Sequence, residues 1–89
     1  MNVIIVRQLV RSATSIGANV VEAQGGASRQ EFVRYIGIAR KSAYESRYWL
    51  RLLQTRDPSY GSIPMLIVEC HQLCKILSAI ILPTRKNNE

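Results

Sequence analysis

Acidic residues and cysteines are both scarce in this sequence of 89 residues, which has 6 Asp and Glu against 12 Lys and Arg and only 2 Cys. Two cysteines are too few for a disulfide-stapled secreted scaffold, so a reducing, cytoplasmic setting is predicted. The formal charge of +6 and the pI near 9.9 favour an anionic partner, such as a nucleic acid or a membrane surface. Charge alone does not choose between those two partners.

Histidine is scarcer still, and its scarcity argues against an enzyme. The single histidine, His71, has no serine or cysteine partner in evident register, and the carboxylates form no clustered acidic motif. Gly25-Gly26 follows a helical segment rather than a strand, so it is not a phosphate-binding loop. No arginine precedes His71 at the spacing used by all-α ribonucleases of the toxin type. We therefore expect no catalytic residues and no cofactor.

The segment Cys70-His71-Gln72-Leu73-Cys74 places two thiols one helical turn apart, a spacing at which they are able to share a metal ion. A fourth ligand is not apparent, and both cysteines fall on the apolar stripe of their helix with Ile67 and Leu77. Two buried thiols that pack as small hydrophobic side chains are the better interpretation. No metal site is predicted.

Long apolar runs are missing near the start of the chain. The opening Val3-Ile4-Ile5-Val6 is interrupted at Arg7, far short of the roughly 20 residues of a membrane span, and it lacks the features of a signal peptide. It begins as though the chain were entered part-way through an apolar helix. We expect no export signal, no transmembrane segment and no membrane partner.

Apolar residues recur at helical spacing in three segments that are joined by two short connections. The predicted helices cover about 2–24, 29–56 and 63–82. Ser28 and Glu31 spell a capping box after Gly25-Gly26, turn formers fill residues 57–62, and Pro83 is predicted to end the third helix before a polar tail over 84–89. Connections this short make consecutive helices antiparallel, so we predict an all-α, up-down helix bundle with a single domain over residues 1–83.

The apolar share of 47% is high for so short a chain. A domain of this size hides only about 60–65% of the surface of its unfolded chain, so a compact monomer does not easily cover all of these side chains. Self-association into a homo-oligomer is therefore expected.

A polar seam runs along one side of predicted helix one, within an arc of about 100° at roughly 100° per residue. Its members are Gln8, Arg11, Ser12, Ser15, Asn19 and Glu22. A solvated face is one interpretation of the polar seam. Serine and asparagine, however, are mediocre helix formers that are better suited to close contacts than to a wet surface.

Folding helix two back across the glycine turn brings part of its own polar surface to the seam. This register places Ser15 near Ala39. It also places Arg11 near Ser42 and Gln8 near Glu45. A buried Glu45 needs a cation, and Arg11 is the nearest candidate. We predict a structural hydrogen-bond network that fixes the helix register, formed by Arg11, Ser15, Asn19, Glu22, Ser42 and Glu45.

A basic stripe follows predicted helix two, where four arginines fall within about 40° of one another and two tyrosines lie beside them. The stripe consists of Arg29, Arg40, Arg47, Arg51, Tyr44 and Tyr48. Arginine binds phosphate by charge and bidentate hydrogen bonds, and tyrosine stacks on unpaired bases, so this combination suits RNA or single-stranded DNA. A solvated face, whose arginine stems cover apolar neighbours, is the alternative.

Three stretches of the sequence together resemble one known family. The segment from Arg11 to Glu22 looks like the R-x-A-x-S-I-x-x-N-I-x-E signature of the four-helix-bundle proteins encoded in 23S rRNA intervening sequences. Ser28-Arg29-Gln30-Glu31-Phe32 resembles that family's S-r-k-E-F helix start, and the segment from Ile38 to Glu45 resembles its I-A-x-x-S-x-x-E stretch. The three stretches occur in order and cover nearly half of the chain.

The resemblance implies a cytoplasmic bacterial protomer that assembles into a ring-like homopentamer without known enzymatic activity. A related branch comprises accessory proteins of diversity-generating retroelements, whose basic pentamers bind nucleic acid and reverse transcriptase. This chain lacks most of the family's first helix, so its three helices correspond to the last three of the four-helix bundle. It also has Ala23 where a glycine often follows the glutamate.

Residues and resemblance together predict a non-enzymatic, homo-oligomeric accessory protein that binds RNA or another nucleic acid through the basic stripe. The alternative is a structural interaction module. In that alternative the surplus apolar surface docks a partner protein, and the positive charge serves solubility.

Overall fold

The computed structural model describes residues 2–88, and it describes side chains through residue 82. The chain forms three α-helices, α1 (Val3–Gln24), α2 (Arg29–Arg56) and α3 (Ile63–Asn88). α2 packs against both neighbours, while the backbones of α1 and α3 stay apart throughout the described residues. The predicted all-α, up-down bundle is confirmed, with α2 as its central helix.

Local capping explains where α1 and α2 begin. The Asn2 side chain accepts a hydrogen bond from the Ile5 amide at 3.1 Å, and Ser28 Oγ accepts one from the Glu31 amide at 3.1 Å. The Glu31 carboxylate accepts from the amide of Ala27 at 2.9 Å, one residue before the partner that a regular capping box predicts. Both helix starts therefore have side-chain acceptors for their otherwise unpaired amides.

The predicted end of α3 is wrong. The helix continues through Pro83 to Asn88, so residues 84–88 are helical rather than a polar tail, and residue 89 lies outside the described residues. Proline lacks a backbone N–H and so removes one helical hydrogen bond, but the φ of about −65° that its ring imposes is itself helical.

Small side chains bring the three helices together at the centre of the bundle. Ala39 and Ala43 of α2 are completely buried, in a cluster that includes Cys74, Leu77 and Ile81 of α3. A second cluster at the other end of the molecule joins one residue from each helix, Ile5, Leu53 and Ile63. α2 contributes to both clusters, which makes it the helix on which the whole core depends.

Serine pairs set the register between α1 and α2. Ser12 and Ser46 are almost fully buried, and their hydroxyl oxygens lie 2.8 Å apart, while Ser42 Oγ donates to Ser15 Oγ at 2.9 Å. The register predicted from the glycine turn, with Ser15 near Ala39, is wrong by three residues. The whole connection from Gly25 to Ser28 joins the two helices, rather than a tight turn at Gly25-Gly26 alone.

An apolar groove remains open between α1 and α3, above α2. We call it the α1–α3 groove; it has a volume of about 260 Å³ and is lined by Leu9, Ala13, Ile16, Ser46, Leu50, Leu66, Glu69, Cys70 and Leu73. Val10 and Ile76 extend the apolar surface on either side, and each is more than half exposed. A single chain thus leaves a large apolar surface uncovered.

One stretch of α3, Ile63–Leu82, is long and apolar enough by length and composition to cross a membrane, with a mean hydropathy of 1.7 over 20 residues. Core helices of water-soluble proteins satisfy the same criterion, and the buried stripe of α3 packs on α2. The finding is weak evidence for a membrane span.

We predict that Ser12→Ala and Ser46→Ala each lower the free energy of unfolding by about 1 kcal/mol, because each removes the same hydrogen bond between the helices. The double variant should lose clearly less than the sum of the two, since the shared bond is lost only once. Urea unfolding at one fixed protein concentration measures all three values.

Thr55→Ala supplies the matched control for this cycle. Thr55 Oγ1 donates to the Arg51 carbonyl oxygen of its own helix at 3.0 Å, far from the serine pair. Its effect should add to that of Ser12→Ala. Strict additivity of Ser12→Ala and Ser46→Ala would contradict a register-setting bond between them.

Candidate nucleic-acid interface

The basic stripe of α2 lies beside α3, at the boundary between the core and the solvent. Arg40 and Arg47 are half-buried, whereas Arg29 and Arg51 are exposed. Tyr44 and Tyr48 are also exposed, at 44% and 58%. The structure therefore presents the predicted residues on an accessible surface, but not as a uniform row.

Arg47 is the member of the stripe whose side chain has the most contacts. Its Nη1 lies 2.9 Å from Nδ1 of His71 on α3, and its guanidinium lies 5.0 Å from the centre of the Tyr44 ring. A guanidinium only donates hydrogen bonds, so Nδ1 of His71 accepts and carries no proton. Arg47 is thus held in place by a neutral imidazole and an aromatic face.

Beyond this contact, α2 and α3 enclose an open groove of about 410 Å³. We call it the α2–α3 groove; its lining residues are Arg51, Ile67, Val68, His71, Gln72 and Lys75. Its ionisable lining groups are basic, and the lining includes no carboxylate. An anion entering the groove would meet positive charge from both helices.

His71 and Lys75 belong to this surface although the sequence did not predict them there. They lie one turn apart on the polar side of α3, and nothing in their spacing says which helix they face. The signal that places them is tertiary: Cys70 Sγ donates to the Ala43 carbonyl oxygen at 3.2 Å. That contact brings the next residue, His71, beside the following turn of α2.

A second basic hollow lies on the outer side of α2, around Gly37. We call it the Gly37 hollow; it is lined by Arg34, Gly37, Ile38, Arg40, Lys41 and Tyr44. Because glycine has no side chain, the helix surface is open at this point, and the neighbouring cations surround the opening. Arg34 and Lys41, to which the sequence assigned no site, line this hollow.

Three members of the predicted stripe, Arg29, Arg47 and Tyr48, line neither hollow. Tyr48 packs edge-on against Trp49, with ring centres 5.0 Å apart and planes at 69°. Arg29 lies in the first turn of α2, next to the capping residue Ser28. The accessible basic surface therefore centres on Arg40, Arg47 and Arg51. Tyr44 belongs to the Gly37 hollow and contacts Arg47 with its ring.

Uncompensated charge distinguishes this surface from an ordinary solvated face. Among the described side chains, the one ion pair joins Arg11 to Glu45, on the side of α2 that faces α1. The arginines and lysines of the two hollows thus have no carboxylate within ion-pair distance in the described part of the chain. Such groups are free to bind an external anion.

The predicted polar network divides into two groups. In the first, Ser15 Oγ accepts from Ser42, and Asn19 Nδ2 donates to the Ser15 carbonyl oxygen at 2.9 Å and to its hydroxyl at 3.1 Å. The second is the Arg11–Glu45 ion pair. Glu22 is exposed and makes no hydrogen bond or ion pair with any described residue, so it stands apart from both groups.

Arg11 is the cation that pairs with Glu45, as expected, but the carboxylate is not buried: its side chain is 35% exposed. The buried position between the helices is taken by Ser12 and Ser46, which leaves the carboxylate at the edge. Glu45 Oε2 accepts a hydrogen bond from Trp49 Nε1 at 2.9 Å and also pairs with Arg11. The pKa of Glu45 lies below its ordinary value, chiefly because of the Trp49 hydrogen bond and also because of the positive charge of Arg11.

The two cysteines lie in the core, as the sequence indicates. Both are buried and not disulfide-bonded, and burial raises the pKa of the Cys70 thiol. Within the described residues, no group of three or more metal-ligating side chains comes together. A protonated, buried thiol behaves as a small apolar side chain with a weak donor.

Comparisons with known proteins point to one family. A family model described as 23S rRNA-intervening sequence protein matches residues 2–79. The fold is similar to that of a protein with unknown function from the S23 ribosomal protein family of Bacteroides thetaiotaomicron, at 35% identity and a TM-score of 0.82. The match covers 88% of this chain and 73% of that one. No curated protein sequence matches.

We predict that Glu45→Gln lowers the melting temperature at neutral pH by roughly 4 °C, since a partly exposed pair contributes at most about 1 kcal/mol. Glutamine still accepts the hydrogen bond from Trp49, but it is uncharged and forms no ion pair with Arg11. Because the pKa of Glu45 is lower in the folded protein than in the unfolded chain, its charge stabilises the fold at pH values above the unfolded-state pKa. This stabilisation is lost as the pH falls. The difference from the wild type should therefore shrink between about pH 5 and pH 3.

Glu22→Gln is the control for this pH series, because Glu22 is an exposed carboxylate of α1 outside both groups. Its melting temperature should follow that of the wild type at every pH. A Glu45→Gln deficit that stays constant down to pH 3 would contradict the role assigned to the charged pair.

Proposed function

Because this chain belongs to the 23S rRNA-intervening sequence protein family, we propose that it is a non-enzymatic, homo-oligomeric protein that binds RNA or another nucleic acid as an accessory factor. The binding surface is the basic side of α2 with the adjoining face of α3. The protein acts in the cytoplasm and needs no cofactor.

One observation carries the nucleic-acid proposal: basic side chains from two helices border the α2–α3 groove without a carboxylate. Next to this groove, the exposed Tyr44 lies against Arg47. Phosphate contacts supply most of the affinity of nonspecific nucleic-acid binding, and aromatic faces add stacking on unpaired bases. Lysine and arginine on a solvated face normally alternate with acids, which this surface lacks.

The proposed homo-oligomer rests on the apolar surface around the α1–α3 groove. Val10 and Ile76 are each more than half exposed, and the groove between them is lined mainly by leucine, isoleucine and alanine. An apolar surface of this extent is normally covered by protein. The resemblance to the family makes a ring-like pentamer the expected assembly, and a ring would multiply the charge of +6 per chain into a strong positive field.

The same groove favours a second candidate function, that of a structural module that docks a partner protein. In that case the α1–α3 groove receives an amphipathic helix of the partner, and the basic surface serves solubility. The two functions differ in one measurement. A nucleic-acid-binding oligomer assembles alone and gains RNA, whereas a docking module stays monomeric or dimeric and ignores RNA.

For the nucleic-acid surface, we predict that Arg40→Glu combined with Arg47→Glu weakens binding of a short structured RNA by about tenfold or more and flattens its salt dependence, since fewer counterions are released. Helicity should not change, because both side chains are only half-buried and neither belongs to the core clusters. Fluorescence anisotropy across a salt series measures the affinity and the slope.

Arg7→Glu combined with Arg56→Glu is the charge-matched control. These arginines line neither hollow, so the control changes the net charge equally without touching the proposed surface. Equal weakening by both double variants would mean that only the overall charge matters and would dismiss the basic surface as a site.

For the assembly, we predict that native mass spectrometry of the wild type, stripped of nucleic acid, gives five times the chain mass of 10.1 kDa. Val10→Glu combined with Ile76→Glu should give monomers of unchanged helicity, because both positions are exposed in the single chain but their charges would be buried in the assembly. Ile4→Glu, at an exposed apolar position on another side of α1, is the control and should retain the assembly. A monomeric wild type would contradict the proposal.

A further inference from the structure

The Arg47–His71 contact joins a cation to an uncharged acceptor, although a carboxylate is the usual partner of an arginine. Arg47 Nη1 lies 2.9 Å from Nδ1 of His71, and because a guanidinium only donates, this contact requires Nδ1 to accept. His71 is exposed, and so is Lys75 one turn further along α3. The contact is therefore open to solvent and to ligands.

The charged groups that face His71 are all basic. α2 presents Arg47 and Arg51, and α3 presents Lys75. The nearest carboxylate along α3, Glu69, lines the α1–α3 groove instead. The backbone of α1 stays away from α3, and the neighbouring Cys70 is a buried thiol whose raised pKa keeps it neutral. Protonating His71 in the free protein would add one more cation to this group.

We propose that the α2–α3 groove binds a phosphate of a nucleic-acid backbone, and that His71 takes up a proton as the phosphate binds. This inference rests on the proposed nucleic-acid function and assigns its central subsite. Arg51 and Lys75 supply charge from the two sides of the groove. Arg47 releases the imidazole and turns its guanidinium to the phosphate oxygens, and the protonated His71 donates to the same anion.

The uptake of a proton on binding determines in which direction the affinity changes with pH. The bound phosphate favours the charged imidazolium, so binding takes up protons and the affinity rises as the pH falls. Histidine changes its charge between about pH 5 and pH 8, whereas backbone phosphodiesters keep theirs throughout this range. His71 is the single histidine of the chain, so no other side chain of that type contributes.

Tyr44 favours a single strand over a duplex at this subsite. Tyr44 is 44% exposed, and in the free protein the Arg47 guanidinium lies 5.0 Å from the centre of its ring. A base next to the bound phosphate is able to stack on the other face of the ring only when it is unpaired.

The test uses the full chain and a fluorescein-labelled single-stranded oligouridylate of about 12 nucleotides, a length within the range of single-strand binding sites. Anisotropy titrations at about pH 6 and pH 8, at one ionic strength, compare the wild type with His71→Asn, Lys75→Ala and Arg7→Ala. Asparagine keeps an acceptor for Arg47 but does not titrate. Arg7 lies outside both hollows and serves as the control for the loss of one positive charge.

The wild type should bind about three- to tenfold more tightly at the lower pH, while His71→Asn should bind equally at both values. Lys75→Ala should weaken binding at both pH values by about threefold more than Arg7→Ala does. Calorimetry in two buffers of different ionisation enthalpy should show proton uptake by the wild type that His71→Asn lacks. Thermal melts of every variant check that the fold is retained.

Two results would overturn this inference while leaving the proposed function in place. One is an unchanged pH dependence in His71→Asn, and the other is equal binding by Lys75→Ala and Arg7→Ala. Equal competition by a poly-glutamate peptide of similar charge would overturn the assignment to a nucleic-acid backbone. Failure of the wild type to bind RNA at either pH would overturn the inference and the proposed function together.

Discussion

The close approach of α2 to both of its neighbours is the constraint on which the rest of the structure depends. Ala39 and Ala43 are completely buried, and Ser46 meets Ser12 with no larger side chain between the helices. Small side chains at these positions let the backbones pack tightly. The serine hydroxyls are satisfied by each other and by carbonyl oxygens of their own helices. Larger residues there would separate the helices and disrupt the core, because overpacking forces backbone shifts.

A central α2 also explains how the two surfaces of the molecule are divided. The side of α2 towards α1 carries the Arg11–Glu45 pair, where positive charge is already compensated. The side towards α3 carries arginines with no described carboxylate partner, and α3 adds His71 and Lys75 to it. The apolar α1–α3 groove lies away from both, so an assembly through that groove would leave the basic surface exposed. Self-association and nucleic-acid binding are therefore compatible in one small chain.

The sequence predicted the helices well and their mutual placement less well. The bounds of α2 and the capping by Ser28 depend on neighbouring residues only, and both are as expected. The end of α3 was missed because a proline usually ends a helix, whereas α3 continues through Pro83 to Asn88. The register between α1 and α2 was wrong by three residues, close to one helical turn. A shift of that size leaves the same faces in contact, so the apolar pattern fits either register equally well.

For the candidate site, the arginines and tyrosines of α2 were visible from their spacing, because residues on one helix keep fixed angles to one another. His71 and Lys75 were not, since their position depends on how far α3 is rotated and shifted against α2. Sequence by itself determined which residues share a helix face, which is a property of local geometry. Only the tertiary structure decided which faces meet, because the packing of small residues and a few hydrogen bonds, rather than periodicity, selects one register among several that bury the same apolar surface.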